Sequence, residues 1–123
     1  MPESERLRLT RETYRAFEAR DRTILDAVFS DDFRFFSGTH RGIDREQFFE
    51  RVWPNVDGLT SYTLLRLEEI SGDAVLVTYD AAQPDGSTYR GTEIFGFTGS
   101  RMSRAEAYSG WTTPAEGPPH EGA

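Results

Sequence analysis

Hydrophobic residues recur at three- and four-residue steps in three stretches of the first half of the chain, and at alternate positions through most of the second half. Leu7, Thr10, Tyr14 and Phe17 form one stripe over about Ser4 to Arg20, which predicts a first helix with that face toward a core. Ile24, Leu25, Val28 and Phe29 repeat the spacing in a shorter second helix, capped by Asp21 and ended by Ser30-Asp31-Asp32. Phe33 to Phe36 is too aromatic for a loop and predicts a short strand, and Ser37 to Gly42 is turn chemistry. Asp44 with Gln47 spells a capping box that opens a third helix, Arg45 to about Trp53. Phe48, Phe49, Val52 and Trp53 make that helix amphipathic, and Pro54, Asn55 and Asp57-Gly58 close it.

From Thr60 onward the period changes to two. Strands are predicted near Thr60 to Ile70, Ala74 to Ala82, Thr88 to Thr98 and Met102 to Trp111, separated by Ser71-Gly72-Asp73, Pro84-Asp85-Gly86 and Gly99-Ser100 turns. Three amphipathic helices need one apolar surface, and a sheet of successive antiparallel strands supplies it, so the expected class is α+β with a single domain over residues 1–111. Pro114, Gly117, Pro118 and Pro119 cannot join a sheet interior, which makes 112–123 an expected disordered tail.

Charge and composition narrow the function classes. The formal net charge of −7 disfavours a nucleic-acid backbone or an anionic membrane as partner, since both would be repelled. All fourteen basic residues are Arg, and those of the first helix alternate with Glu5, Glu12 and Glu18 at helical spacing, as on a paired, solvated face. No cysteine is present, which excludes disulfides, thiolate catalysis and thiolate metal sites. No long apolar run or signal-like start occurs, so the expected location is the cytoplasm.

The element order, together with Tyr14-Arg-Ala-Phe17, Phe29-Ser-Asp-Asp-Phe33, His40-Arg-Gly-Ile-Asp-Arg-Glu-Gln-Phe48, Gly91-Thr-Glu-Ile-Phe-Gly-Phe97, Arg101-Met102 and Tyr108-Ser-Gly-Trp111, resembles the SnoaL-like branch of the nuclear transport factor 2 (NTF2-like) superfamily over about Leu7 to Trp111. The resemblance implies a cone-shaped, cystatin-like fold in which a curved, mixed or antiparallel sheet wraps the long helix around a pocket for a small hydrophobic molecule. Its chemistry ranges over isomerisation, ring closure, dehydration, epoxide opening and binding alone, so the fold does not settle the reaction. The isomerase members carry an Asp followed by Pro at the end of the first strand, where this chain has Ser37-Gly38. An unactivated serine hydroxyl does not replace that carboxylate as a base.

Glu93 is the strongest candidate catalytic residue. Alternation puts it on one strand face with Tyr89, Phe95 and Phe97. If that face is interior, desolvation raises the carboxyl toward the working range of a general base. If it is exterior, Glu93 pairs with Arg66, Arg90 or Arg104 and is structural. Tyr14, mid-helix and facing the sheet, can hold Glu93 or polarise a ligand carbonyl, and His40 lies at the expected rim of the pocket with an imidazole of suitable acidity. Phe17, Phe35, Ser37, Trp53, Tyr79 and Tyr108 are the candidate ligand-lining residues. Asp31 and Asp32 chiefly end a helix. Asp80, Arg66 and Glu93 would imitate the water-holding Asp-Arg-Asp set of epoxide-opening members only if their strands align. No cofactor is expected, and no metal, because His120 lies in the tail away from His40 and no His-carboxylate cluster accompanies either.

Two readings follow: a cofactor-free acid/base enzyme acting on a small hydrophobic carbonyl, enol or epoxide, or a binding or accessory domain without chemistry. A homodimer is expected in either case, through an outer sheet face carrying Thr63, Leu65, Leu67, Val75 and Val77.

Overall fold

The computed structural model describes residues 3–55 and 61–115. The chain runs α1 (Glu5–Ala19), α2 (Arg22–Val28), β1 (Phe29–Phe36), β2 (Arg41–Asp44), α3 (Arg45–Arg51), a 3-10 turn (Trp53–Asn55), β3 (Ser61–Ile70), β4 (Ala74–Ala82), β5 (Thr88–Thr98) and β6 (Arg101–Thr113). The six strands form one sheet in the order β2-β1-β6-β5-β4-β3. β3 to β6 is an antiparallel meander as expected, but β1 joins β6 in parallel, which makes the sheet mixed.

Local signals set the helix starts. Ser4 caps α1 through its hydroxyl, Asp21 caps α2, and Asp44 with Gln47 forms both bonds of the capping box at α3. Arg20 ends α1 in the left-handed region at φ 56°, its N–H bonded to the carbonyls of Ala16 and Phe17.

Four features differ from expectation. α2 stops at Val28, and Ser30-Asp31-Asp32 lies within β1 rather than at the helix end. Phe29 stacks on Phe33 at 3.9 Å, and both meet Phe48 edge-on, so tertiary packing draws Phe29 into the extended strand. The segment read as turn contains β2, a four-residue edge strand pairing Phe35 with Ile43, too short to show a period of two. α3 ends at Arg51 because Pro54 disfavours helical backbone at Trp53, which instead opens the 3-10 turn. β6 extends through Thr112 and Thr113, past the expected domain end. The Asp57-Gly58 stop, Thr60 and the tail from residue 116 lie outside the described residues.

The core lies between the helices and the concave sheet face, with Leu25, Phe29, Phe33, Val75, Val77 and Met102 fully buried. Val75 and Val77 were expected on the outer face. They point inward, opposite Phe95 and Glu93, and Leu67 also packs against the core because a bulge between Leu64 and Arg66 shifts the alternation of β3. Only Thr63 and Leu65 of that expected outer set are exposed.

Candidate functional site

The strand register decides which way Glu93 faces. It stands between Val77 of β4 and Ala107 of β6, and Val77 is fully buried, so the Glu93 side chain projects into the concave face toward α1. There the Tyr14 hydroxyl donates to Glu93 Oε1 at 2.5 Å. Tyr14 is itself ringed by Tyr62 at 5.1 Å, Tyr79 at 5.5 Å and Phe95 at 6.0 Å between ring centroids. Tyr62 and Tyr79 lie 5.5 Å apart, so three phenol rings and one carboxyl form a cluster bridging α1, β3, β4 and β5.

The electrostatics follow from this surround. Desolvation pushes the Glu93 carboxyl up from 4.5 to about 7, opposed by the Tyr14 hydrogen bond, which favours the charged form. The Tyr14, Tyr62 and Tyr79 hydroxyls are all raised above their ordinary value, chiefly by burial and then by the charge of Glu93, so they stay protonated as donors. Among the described residues no cation pairs with Glu93. Arg90 is held by Asp80 through bonds of 2.8 and 2.9 Å, and Arg104 by Glu106.

Only one Glu93 oxygen has a protein donor among the described residues, and the Tyr62 and Tyr79 hydroxyls have no hydrogen-bond partner there. None of these atoms is sealed, since among the described residues no buried side-chain oxygen or nitrogen is left unpartnered. Glu93 is thus deep within the fold yet keeps part of its surface uncovered. The arrangement can accept and return a proton near neutrality while presenting neutral donors beside it.

Ser37, Thr39, Tyr79, Tyr89, Ala107 and Tyr108 line an open groove of about 280 Å³. Tyr79 and Ala107 join that groove to the Glu93 cluster. A larger hollow of about 420 Å³ adjoins the groove, sharing Ser37, Ala107 and Tyr108 with it and adding Arg104 and Glu106, while one of about 720 Å³ opens elsewhere on the surface.

The remaining sequence candidates are scattered around this centre. His40 sits in the β1–β2 turn with Nδ1 at 3.2 Å from Ser37 Oγ, against the Phe35 ring, and does not reach the cluster. Ser37 Oγ also accepts the backbone N–H groups of Thr39 and His40, so its first duty is the turn. Phe35 is core, packed on Phe48. Phe17 and Trp53 pack with tilted rings at 5.2 Å, and Phe17 borders Tyr62 at 6.4 Å. Tyr108 stands half-exposed at the groove rim with its hydroxyl donating to Glu106. Asp80 projects to the outer face opposite Glu93, so the Asp80, Arg66 and Glu93 grouping does not form. Asp31 and Asp32 are exposed on β1. Among the described residues no three His, Cys, Asp or Glu side chains converge as a metal site would need.

Sequence reading passed over Tyr62 and Gly91 as site residues. Tyr62 shares the inner face with Tyr79 and Glu93. Gly91, two residues before Glu93, is a glycine inside a strand, a known mark of close approach, and a Cβ there would lie 2.7 Å from the Tyr79 hydroxyl oxygen.

Tyr14→Phe tests the central bond. It removes the group that holds the Glu93 carboxyl down, so a ¹³C NMR titration of Glu93 should move upward by about 1 to 2 in pH, the equivalent of a hydrogen bond to a charged group at ~1.5–3 kcal/mol. An unmoved or lowered titration would contradict the geometry.

No protein-family profile and no curated protein matches the chain. Solved structures do. A protein from Kribbella flavida described as a candidate ketosteroid isomerase aligns with TM-score 0.71 and 18% identity, over 94% of this chain and 83% of that one. An LEH-like epoxide hydrolase of M. tuberculosis aligns with TM-score 0.67 and 16% identity over 86% and 79%. An NTF2-like protein of unknown function from Cytophaga hutchinsonii aligns with TM-score 0.66 and 16% identity over 88% and 91%. Three helices on a curved six-stranded mixed sheet, with likenesses of this extent, establish that the chain has the α+β cone fold of the NTF2-like proteins.

Proposed function

We propose that the chain is a cofactor-free acid/base catalyst of the SnoaL-like kind, with Glu93 moving a proton on a small hydrophobic substrate held in the cone. The observation that supports this best is the placement of the Glu93 carboxyl deep in a cluster of phenol rings with Tyr14 fixing one of its oxygens, a burial that pushes it up to about 7. A base near neutral acidity is half in each protonation state at working pH, which favours both removal and return of a proton. Tyr14 orients the carboxyl, and the hydroxyls of Tyr62 and Tyr79 offer donors to an oxygen that gains charge as the proton leaves. Fold neighbours described as isomerase and epoxide hydrolase are compatible with this, without selecting isomerisation, cyclisation, dehydration or epoxide opening.

The test is a panel of uncharged cyclic ketones, enols and epoxides incubated with the wild-type chain and with Glu93→Gln, products being read by mass spectrometry. Turnover that disappears in the variant is expected. Saturable binding without turnover of any member would favour the second reading, a ligand-binding domain. That reading draws on the same unsealed donors around Glu93, which can hold a ligand without transforming it.

A homodimer is proposed through the outer sheet face, where Leu65, Tyr108 and Trp111 are 44%, 51% and 60% exposed. Light scattering at tens of micromolar should give twice the chain mass, and Trp111→Arg should return the monomer mass. A wild-type monomer at that concentration would overturn the proposal.

A further inference from the structure

Tyr79 occupies an unusual position: its ring belongs to the phenol cluster around Glu93, and it also forms part of the wall of the open groove. Tyr14 and Tyr62, the other two phenols, do not line that groove. The placement of Tyr79 is set from the sheet side by Gly91. That glycine is buried on the inner face of β5, and an added Cβ would lie 2.7 Å from Tyr79 Oη, 2.9 Å from Tyr79 Cζ and 2.9 Å from Tyr89 Cε2. Any side chain at position 91 would therefore expel the Tyr79 hydroxyl from where it lies. Tyr14 of α1 and Tyr62 of the neighbouring strand β3 stand at 5.5 Å each, and Tyr89 flanks the ring at 6.3 Å. Tyr79 is held between these surfaces, while its hydroxyl makes no hydrogen bond among the described residues that would tie it down.

We propose that Tyr79, seated over the bare backbone of Gly91, is the gate and size filter between the groove and Glu93, and that the molecules it admits are small, uncharged and oxygen-bearing. The inference rests on the reading of Glu93 as the site that such molecules reach. The groove wall carries the hydroxyls of Ser37, Thr39, Tyr89 and Tyr108, and the charged side chains of the adjoining hollow, Arg104 and Glu106, are paired with each other. That lining gives no counter-charge to an ionic substrate and hydrogen bonds to a neutral hydroxyl or carbonyl compound. The groove, about 280 Å³, is open and adjoins the larger hollow, so the size limit is set at the Tyr79 ring and not by the volume of the groove.

The test needs no substrate. Diisopropylcarbodiimide, a small neutral reagent, adds a protonated carboxyl across its C=N bond and rearranges to an N-acylurea, so the peptide gains the whole reagent mass. At about pH 6 the Glu93 carboxyl is mostly protonated. The rate at Glu93 is read by peptide mass spectrometry relative to Glu5, which is exposed on α1 in the same molecule. Tyr79→Leu should raise that ratio tenfold or more, and Gly91→Ala should lower it by pressing the ring toward the groove. Tyr62→Leu removes a phenol of the same cluster that does not line the groove, and should change the ratio less than threefold. An unchanged ratio in Tyr79→Leu, or an equal rise in Tyr62→Leu, would overturn the gate. Circular dichroism confirms folding, and Tyr79→Phe, which keeps the ring, should stay within threefold of wild type; a tenfold rise there would also overturn it. Labelling needs no turnover, so loss of turnover in Glu93→Gln and the behaviour of Tyr79→Leu stand or fall separately.

Discussion

Glu93→Gln should lower turnover by on the order of 10²- to 10⁴-fold, the usual cost of losing a general base, while making the chain more stable at alkaline pH. The two effects have one cause. The folded chain holds the carboxyl at about 7 against an ordinary 4.5, so between about pH 4.5 and 7 it binds more protons than the unfolded chain, and stability falls as pH rises through that window. Above about 7 the whole cost of burying the charge is present, up to ~3 kcal/mol at ~1.36 kcal/mol per pH unit, less whatever solvent recovers at the uncovered part of the side chain. Glutamine never ionises, and its amide oxygen can still accept from Tyr14. The variant should therefore unfold at higher denaturant than wild type at about pH 8 and at nearly the same denaturant at about pH 5. A variant less stable at about pH 8 that still turns substrate over would end the reading of Glu93 as a desolvated base.

Phe33→Ala carries the largest expected loss of stability, about 3–5 kcal/mol by urea unfolding. Phe33 is fully buried, parallel to Phe29 at 3.9 Å and edge-on to Phe48 at 5.6 Å, so truncation removes a ring from the contact that binds β1 to α3. Domains are stable by only ~5–15 kcal/mol, so this is a large fraction of the total. Because β1 pairs with β6 beside Ala105 and Glu106, the loss should reach the groove wall and weaken ligand binding as well. A cost below about 1 kcal/mol would mean that neighbouring side chains collapse into the space.

Much of the architecture is written locally. Ser4, Asp21 and the Asp44/Gln47 box mark where helices begin, because a side-chain oxygen two or three residues ahead of an unpaired N–H is a contact set by spacing alone. β4 and β5 occupy the expected residues, since both are long enough to show a period of two between strong turns. The aromatic row around Glu93 is equally visible in the order of residues.

Other features depend on contacts between distant segments. Phe29 leaves its helical pattern to stack on Phe33, and β2 exists only because β1 lies beside it. The bulge in β3 turns Leu67 inward, which no count of alternate positions foresees. Above all, the sequence leaves Glu93 two faces and several arginine partners. The tertiary structure chose the inner face by pairing it with Val77 and Ala107, engaged Arg90 and Arg104 elsewhere, and brought Tyr14 to it from 79 residues away. Tyr62 and Gly91 enter the site by the same route, through strand register and side-chain closeness that periodicity does not encode. The identities of the chemically active groups were thus present in the chain, but the pKa of Glu93 belongs to the fold, because desolvation is a property of what surrounds a carboxyl in space.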